Sequence, residues 1–119
     1  ELLTITGENN KTILAIKYHQ LLYVKSAGNY LELFYQKNEQ IAKELVRASL
    51  KELEVNINYK NVIRVHRSYM INTQHISSYK KNRKGYDLLI DKIPDTIIPV
   101  SYGYKSKFEN VVNKKVSQT

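Results

Sequence analysis

Nine short stretches rich in β-branched and aromatic residues recur along the chain, at 2–6, 12–16, 21–25, 30–35, 40–45, 62–65, 76–79, 86–90 and 97–100. All are shorter than an ordinary helix of about 11 residues, and their composition favours strands. Between them lie residues that turn a chain: Gly7-Glu8-Asn9-Asn10, Ala27-Gly28-Asn29, Lys37-Asn38, Asn82 to Gly85, and Asp91 to Asp95. Strands at this spacing, joined by short turns, predict a mainly antiparallel β-domain.

Two helices interrupt the pattern. Ser49 followed by Glu52 fits a capping box, in which the hydroxyl accepts from the third helical N–H and the carboxylate reaches back to the cap. Leu50, Leu53 and Ile57 then share one face. Ser101 is the expected N-cap of a C-terminal helix running to about Asn113, with Tyr104, Phe108, Val111 and Val112 facing the sheet. The 119 residues contain no linker or repeat, so we expect one domain over 1–115 and a frayed tail over 116–119. Its first residue is Glu1, not methionine, which suggests a segment of a longer protein.

A hydrophobic fraction of 42% supplies an ordinary core, and the absence of cysteine excludes disulfides, a thiolate zinc site and a cysteine nucleophile. No apolar run approaches the roughly 20 residues of a membrane span, so this segment is expected to be cytoplasmic and to make no membrane contact. The net charge of +8 is unevenly distributed. Residues 1–59 balance seven basic against seven acidic side chains, whereas 60–86 carry Lys60, Arg64, Arg67, Lys80, Lys81, Arg83 and Lys84 with no carboxylate. Such a block is either an electrostatic footprint for phosphates or a solvated surface.

Catalytic constellations are absent from the pattern. The four glycines fit neither dinucleotide nor P-loop spacing, and His19, His66 and His75 are too scattered for a metal pair. No cofactor and no enzymatic activity are expected. The stretch from Val62 to Asn72 is different, because apolar alternation there delivers Arg64, His66, Arg67, Ser68 and Asn72 together. Arg can fork onto guanine, His and Asn can make single or paired base contacts, and Ser can hold a phosphate oxygen. An alternative reading has Arg64 and Asn72 satisfying buried backbone groups, with Arg67 alone pointing outward.

Along nearly its whole length the chain resembles a LytTR-type DNA-binding domain of bacterial response regulators. The resemblance rests on the stretch from Leu21 to Tyr30, the helix from Ala48 to Glu54, the segment from Ile63 to Asn72, and Ile98-Pro99-Val100-Ser101. It implies an elongated arrangement of antiparallel sheets with one short central helix and a short C-terminal helix. It further implies that loops on one edge enter successive major grooves of double-stranded DNA at promoter repeats, downstream of a receiver or sensory domain. The family's base-reading positions fall on Asn29, on Arg67 within His66-Arg67-Ser68, and on Tyr102. That last position is often basic in the family, so Tyr102 replaces a forked guanine contact by a phosphate hydrogen bond or packing on a thymine methyl. Asn29 suits adenine, although a turn asparagine also tolerates left-handed backbone.

Lys80, Lys81, Arg83 and Lys84 read as a flexible basic hairpin tip contacting phosphates or merely solvated. Lys105 and Lys107 follow the expected helix start, where backbone N–H groups can also hold a phosphate. Two other functions remain open: a protein-interaction or sensory β-domain with an acidic partner, and a single-strand binder stacking bases on its ten tyrosines.

Overall fold

The computed structural model describes the backbone of residues 2–117 and the side chains of residues 2–7 and 9–113. Its layout follows from strand β3 (Leu21–Ala27), whose first four residues are all buried. A strand alternates its side chains between two faces, so four buried residues in succession require cover on both. The pairing of β3 with β4 (Tyr30–Lys37) steps from Leu21↔Tyr35 to Tyr23↔Phe34, a bulge that turns Leu22 and Tyr23 to the same side. β3 therefore lies in the middle of a five-stranded antiparallel sheet, ordered β5 (Gln40–Val46), β4, β3, β7 (Tyr69–Asn72), β6 (Val62–His66).

Each face of that sheet has its own cover. The hairpin of β1 (Leu2–Thr6) and β2 (Thr12–Lys17) supplies Leu3, Ile5, Leu14 and Ile16, and helix α1 (Leu50–Asn56) supplies Leu50 and Leu53, against Val24, Leu31, Leu33 and Met70. The capping box that starts α1 is formed: Ser49 Oγ accepts the Glu52 N–H and Glu52 Oε1 accepts the Ser49 N–H, each at 3.1 Å. On the opposite face lies a three-stranded sheet, β8 (Ile76–Lys81), β9 (Tyr86–Ile90) and β10 (Ile93–Val100), with helix α2 (Lys105–Ser117). Leu88, Ile90, Ile98, Val100, Phe108 and Val112 from these elements pack on Leu22, Tyr23, Ile63, Val65 and Ile71. Three layers stacked in this way give an elongated body of 42 × 28 × 27 Å.

Several local expectations are corrected. The predicted strand at 62–65 is one arm of a hairpin whose other arm, β7, has no turn signature before it. β10 begins at Ile93 because Asp91-Lys92 alone make the turn, with Lys92 at φ 68. Ser101 does not cap with its side chain. Its N–H donates to Val65 O and its carbonyl accepts the Tyr104 N–H, each at 3.0 Å, at the start of one 3₁₀ turn, Tyr102–Tyr104, that precedes α2. α2 itself runs past Asn113 to Ser117, so the C-terminal helix is longer than expected. The frayed tail anticipated over 116–119 extends beyond the described residues.

Asn72 ends β7 fully buried, and its Nδ2 donates to Tyr18 O and Leu21 O, each at 3.0 Å, while Oδ1 accepts the Gln74 N–H. It thereby locks the connection into β3 to the end of β7. Removing the amide strands two carbonyls and one N–H. Asn72→Ala is expected to lower unfolding free energy by about 2–3 kcal/mol, measured by denaturant titration; a loss below about 0.5 kcal/mol would show that these bonds contribute little beyond their water-bonded alternatives.

Candidate nucleic-acid interface

Four chain reversals meet at one edge of the molecule, and the backbone links each to the next. The β3–β4 turn is Gly28-Asn29, and beside it the Ser26 N–H donates to Ser68 O at 2.8 Å, joining it to the β6–β7 turn, Arg67-Ser68. Val65, next along β6, accepts the Ser101 N–H and so joins that turn to the β10–α2 junction. Gly85, at the tip between β8 and β9, lies so close to the Val100 carbonyl that a methyl group there would collide with it. Asn29, Arg67, Tyr102 and the basic tip are thus successive features of one edge, although 73 residues separate the first from the third in sequence.

At the centre, Arg67 is exposed on a two-residue turn, and neither Arg67 nor Ser68 has a positive φ. Two-residue hairpins ordinarily need positive φ to match the strand twist, so this turn requires outside support. Arg64 provides it: its Nε donates to His66 O at 3.3 Å and its Nη2 to Arg67 O at 2.8 Å. Glu54 holds the same guanidinium from α1, with 3.5 Å between Nη1 and Oε1. The pairing shift between Arg64 and His66 marks a bulge that frees the Val65 carbonyl for Ser101. Arg64 and Asn72 thus serve the backbone, leaving Arg67 as the side chain that points outward.

His66 completes the turn. Its Nδ1 accepts the Ser68 N–H at 3.0 Å, so the neutral ring carries its proton on Nε2. The ring is half-buried and packs edge-on to Tyr69 at 5.6 Å. Burial first, then the adjacent Arg67 and Arg64 cations, hold its pKa below the usual histidine value.

The other predicted residues divide by environment. Asn29 is exposed, and the positive φ of its turn falls on Gly28 (φ 64), so left-handed geometry does not explain the asparagine. Tyr102 is 77% exposed. Lys80, Lys81, Arg83 and Lys84 are exposed, but their tip is bound: Asn82 Oδ1 accepts the N–H groups of Lys84 and Gly85, both at 2.8 Å. Lys105 is half-buried at the start of α2, with Lys107 exposed beyond it. Most tyrosines are used internally. Tyr18 stacks on Tyr59 and Tyr23 on Phe34, while Tyr79 and Tyr86 pack around Phe108.

Arg47, exposed just past the end of β5, was not among the sequence candidates, nor was Lys25, exposed on β3. The neutral balance of residues 1–59 conceals both, although Arg47 directly follows Val46, the last paired residue of β5. Among the described residues no group of three His, Cys, Asp or Glu side chains is placed to hold a metal ion, and no helix is long and apolar enough to cross a membrane.

Comparison with known proteins agrees with this architecture. The family model of the LytTr DNA-binding domain matches residues 11–113. Among solved structures, the chain is similar to the LytTr DNA-binding domain of a Bacillus cereus protein described as a methyl-accepting/DNA response regulator. The TM-score is 0.68 at 20% identity, covering 93% of this chain and 95% of that one.

The lowered His66 pKa has a defined consequence for stability. The folded state binds fewer protons than the unfolded state between the depressed value and about 6.5, so stability rises with pH through that window and is fully present above it. An NMR titration should place the His66 midpoint below 6.5, and His66→Gln should flatten the acid-side loss of stability. A midpoint at or above 6.5 would remove the linkage.

Proposed function

Because the chain belongs to the LytTR family of DNA-binding domains, we propose that it reads a specific double-stranded sequence with its turns, as the output domain of a bacterial transcription regulator. The observation that carries this reading is Arg67, displayed outward on a turn whose own carbonyls are clamped by Arg64. A guanidinium so held can fork onto guanine O6 and N7 in the major groove. Asn29 and Tyr102 flank it on the adjoining reversals, suited to adenine and to a phosphate or thymine methyl respectively.

The remaining contacts position the duplex. His66 offers its Nε2–H and Ser68 its hydroxyl close to Arg67, while Lys80, Lys81, Arg83, Lys84 and Lys105 supply cations for the phosphate backbone. Entry of successive turns into successive major grooves is the geometry that serves such a row. The resemblance to a response-regulator domain supports placing this module in cytoplasmic two-component signalling, with a receiver or sensory domain in the full-length protein, acting at promoter repeats.

Selection from random duplexes, followed by titration of the enriched and a scrambled duplex at two salt concentrations, tests the reading. An enriched motif with a clear affinity ratio is expected. Equal binding to heparin, or preference for single strands, would transfer the domain to the acidic-partner or strand-binding class. On the enriched duplex, Arg67→Ala should cost about 1–3 kcal/mol and relax preference at one base pair; equal loss on all sequences would make Arg67 a phosphate contact. Lys81→Ala should weaken every duplex alike and reduce the salt slope by about 1. An unchanged slope would take Lys81 off the interface.

A further inference from the structure

The edge extends beyond Asn29. The turn Asn38-Glu39, with φ 52 and 66, has the left-handed geometry of a tight hairpin and sets the β4–β5 register from Lys37↔Gln40 to Leu31↔Val46. Arg47 follows Val46, the last paired residue of β5, at the end of the sheet where Asn29 reverses the chain. There Ser26, Gly28, Asn29, Arg47, Ser49 and Glu52 surround an open depression.

The charges around it are arranged to leave the guanidinium free. Glu52 is the carboxylate among these residues, and its Oε1 is bonded to the Ser49 N–H in the cap of α1. The ion pairs among the described residues join Lys43 to Glu32 and Arg64 to Glu54, and neither engages Arg47. Arg47 is exposed, and among the described residues no hydrogen bond or ion pair engages its guanidinium. A planar fork of donors beside a base-reading turn is suited to the two non-bridging oxygens of a phosphodiester.

We propose that Arg47 grips a backbone phosphate of the bound duplex on the side of Asn29 away from Arg67. This extends the footprint past the basic block of residues 60–86. The assignment rests on the duplex-binding reading above, and it adds a phosphate contact from the half of the sequence that carries no net charge.

The test uses the selected duplex and four proteins: wild type, Arg47→Ala, Arg47→Lys and Lys37→Ala. Lys37 is exposed at the opposite end of β4, so its loss changes net charge without touching the edge. Each protein is titrated across a salt series, and ethylation interference maps the phosphates required for binding. Arg47→Ala should bind all duplexes several-fold more weakly at low salt, with a salt slope reduced by about 1 and base preference intact. Arg47→Lys should keep the slope, and Lys37→Ala should match wild type. One flanking phosphate whose ethylation blocks the wild type should cease to matter for Arg47→Ala. Should Arg47→Ala fold poorly, Arg47→Gln provides the same comparison. An unchanged slope with sequence preference intact would overturn the Arg47 assignment alone, as would equal slope losses for Arg47→Ala and Lys37→Ala. Failure of the wild type to bind any duplex would overturn both readings.

Discussion

A strand that buries both faces has to be covered by two separate layers, and β3 imposes that condition on the whole molecule. Leu21 and Val24 look toward the β1–β2 hairpin and α1, whereas Leu22 and Tyr23 look toward β8–β10 and α2. The bulge near Leu22 permits this division within four residues. With both sheet faces used for the hydrophobic core, the strand ends become the available places for function. Turns cost little to vary because their side chains point into water, and a rigid sheet beneath them fixes their spacing. The same packing that stabilises the domain therefore lines up Gly28-Asn29, Arg67-Ser68 and the Ser101–Tyr104 segment on one edge.

The central turn illustrates how two arginines three residues apart are divided between holding the backbone and facing solvent. Arg64 is drawn inward by two carbonyls and Glu54, and Arg67 is left outside. Without the clamp, a two-residue turn lacking positive φ would splay its strands. With it, the backbone around Arg67 is ordered before any ligand arrives, so less conformational entropy is lost on association. The neutral His66 ring adds a further tie through the Ser68 N–H. Much of what looks in the sequence like a binding motif is support for one exposed side chain.

Local signals were legible in the sequence, and signals that depend on distant partners were not. Ser49 and Glu52 specify the start of α1 within four residues, and the structure forms that box. Asn72 could be foreseen as a backbone-satisfying residue in outline, but its partners Tyr18 and Leu21 lie more than fifty positions away. β7 escaped notice because its turn contains no Gly, Asn, Asp or Pro and is held by Arg64 instead. Ser101 looked like a cap by residue type. It does stand at the start of a 3₁₀ turn, but the tie of its N–H to the bulged Val65 carbonyl is invisible in a linear reading. The order of reversals along the edge, which brings Asn29 into line with Arg67 and Tyr102, came from sheet pairing and from the family resemblance, not from spacing.

Charge shows the same limit in a form that matters for any anionic partner. A window along the chain averages side chains that the fold sends to different faces, so residues 1–59 sum to zero while exposing Arg47 and Lys25 near the edge. Conversely, the acid-free block spends Arg64 inside. Several acids near this edge are held in contacts with the protein itself: Glu54 with Arg64, Glu52 with the Ser49 N–H, and Glu109 with the Tyr86 hydroxyl at 2.6 Å. That last bond leads the causes, ahead of burial, that push the Tyr86 phenol up to about 12. A phosphate senses charges within a screening length of about 8–10 Å, and over that distance the relevant quantity is the charge of a folded edge. Which carboxylates and arginines meet at this edge is set by the fold, so the linear sequence discloses only part of its charge pattern.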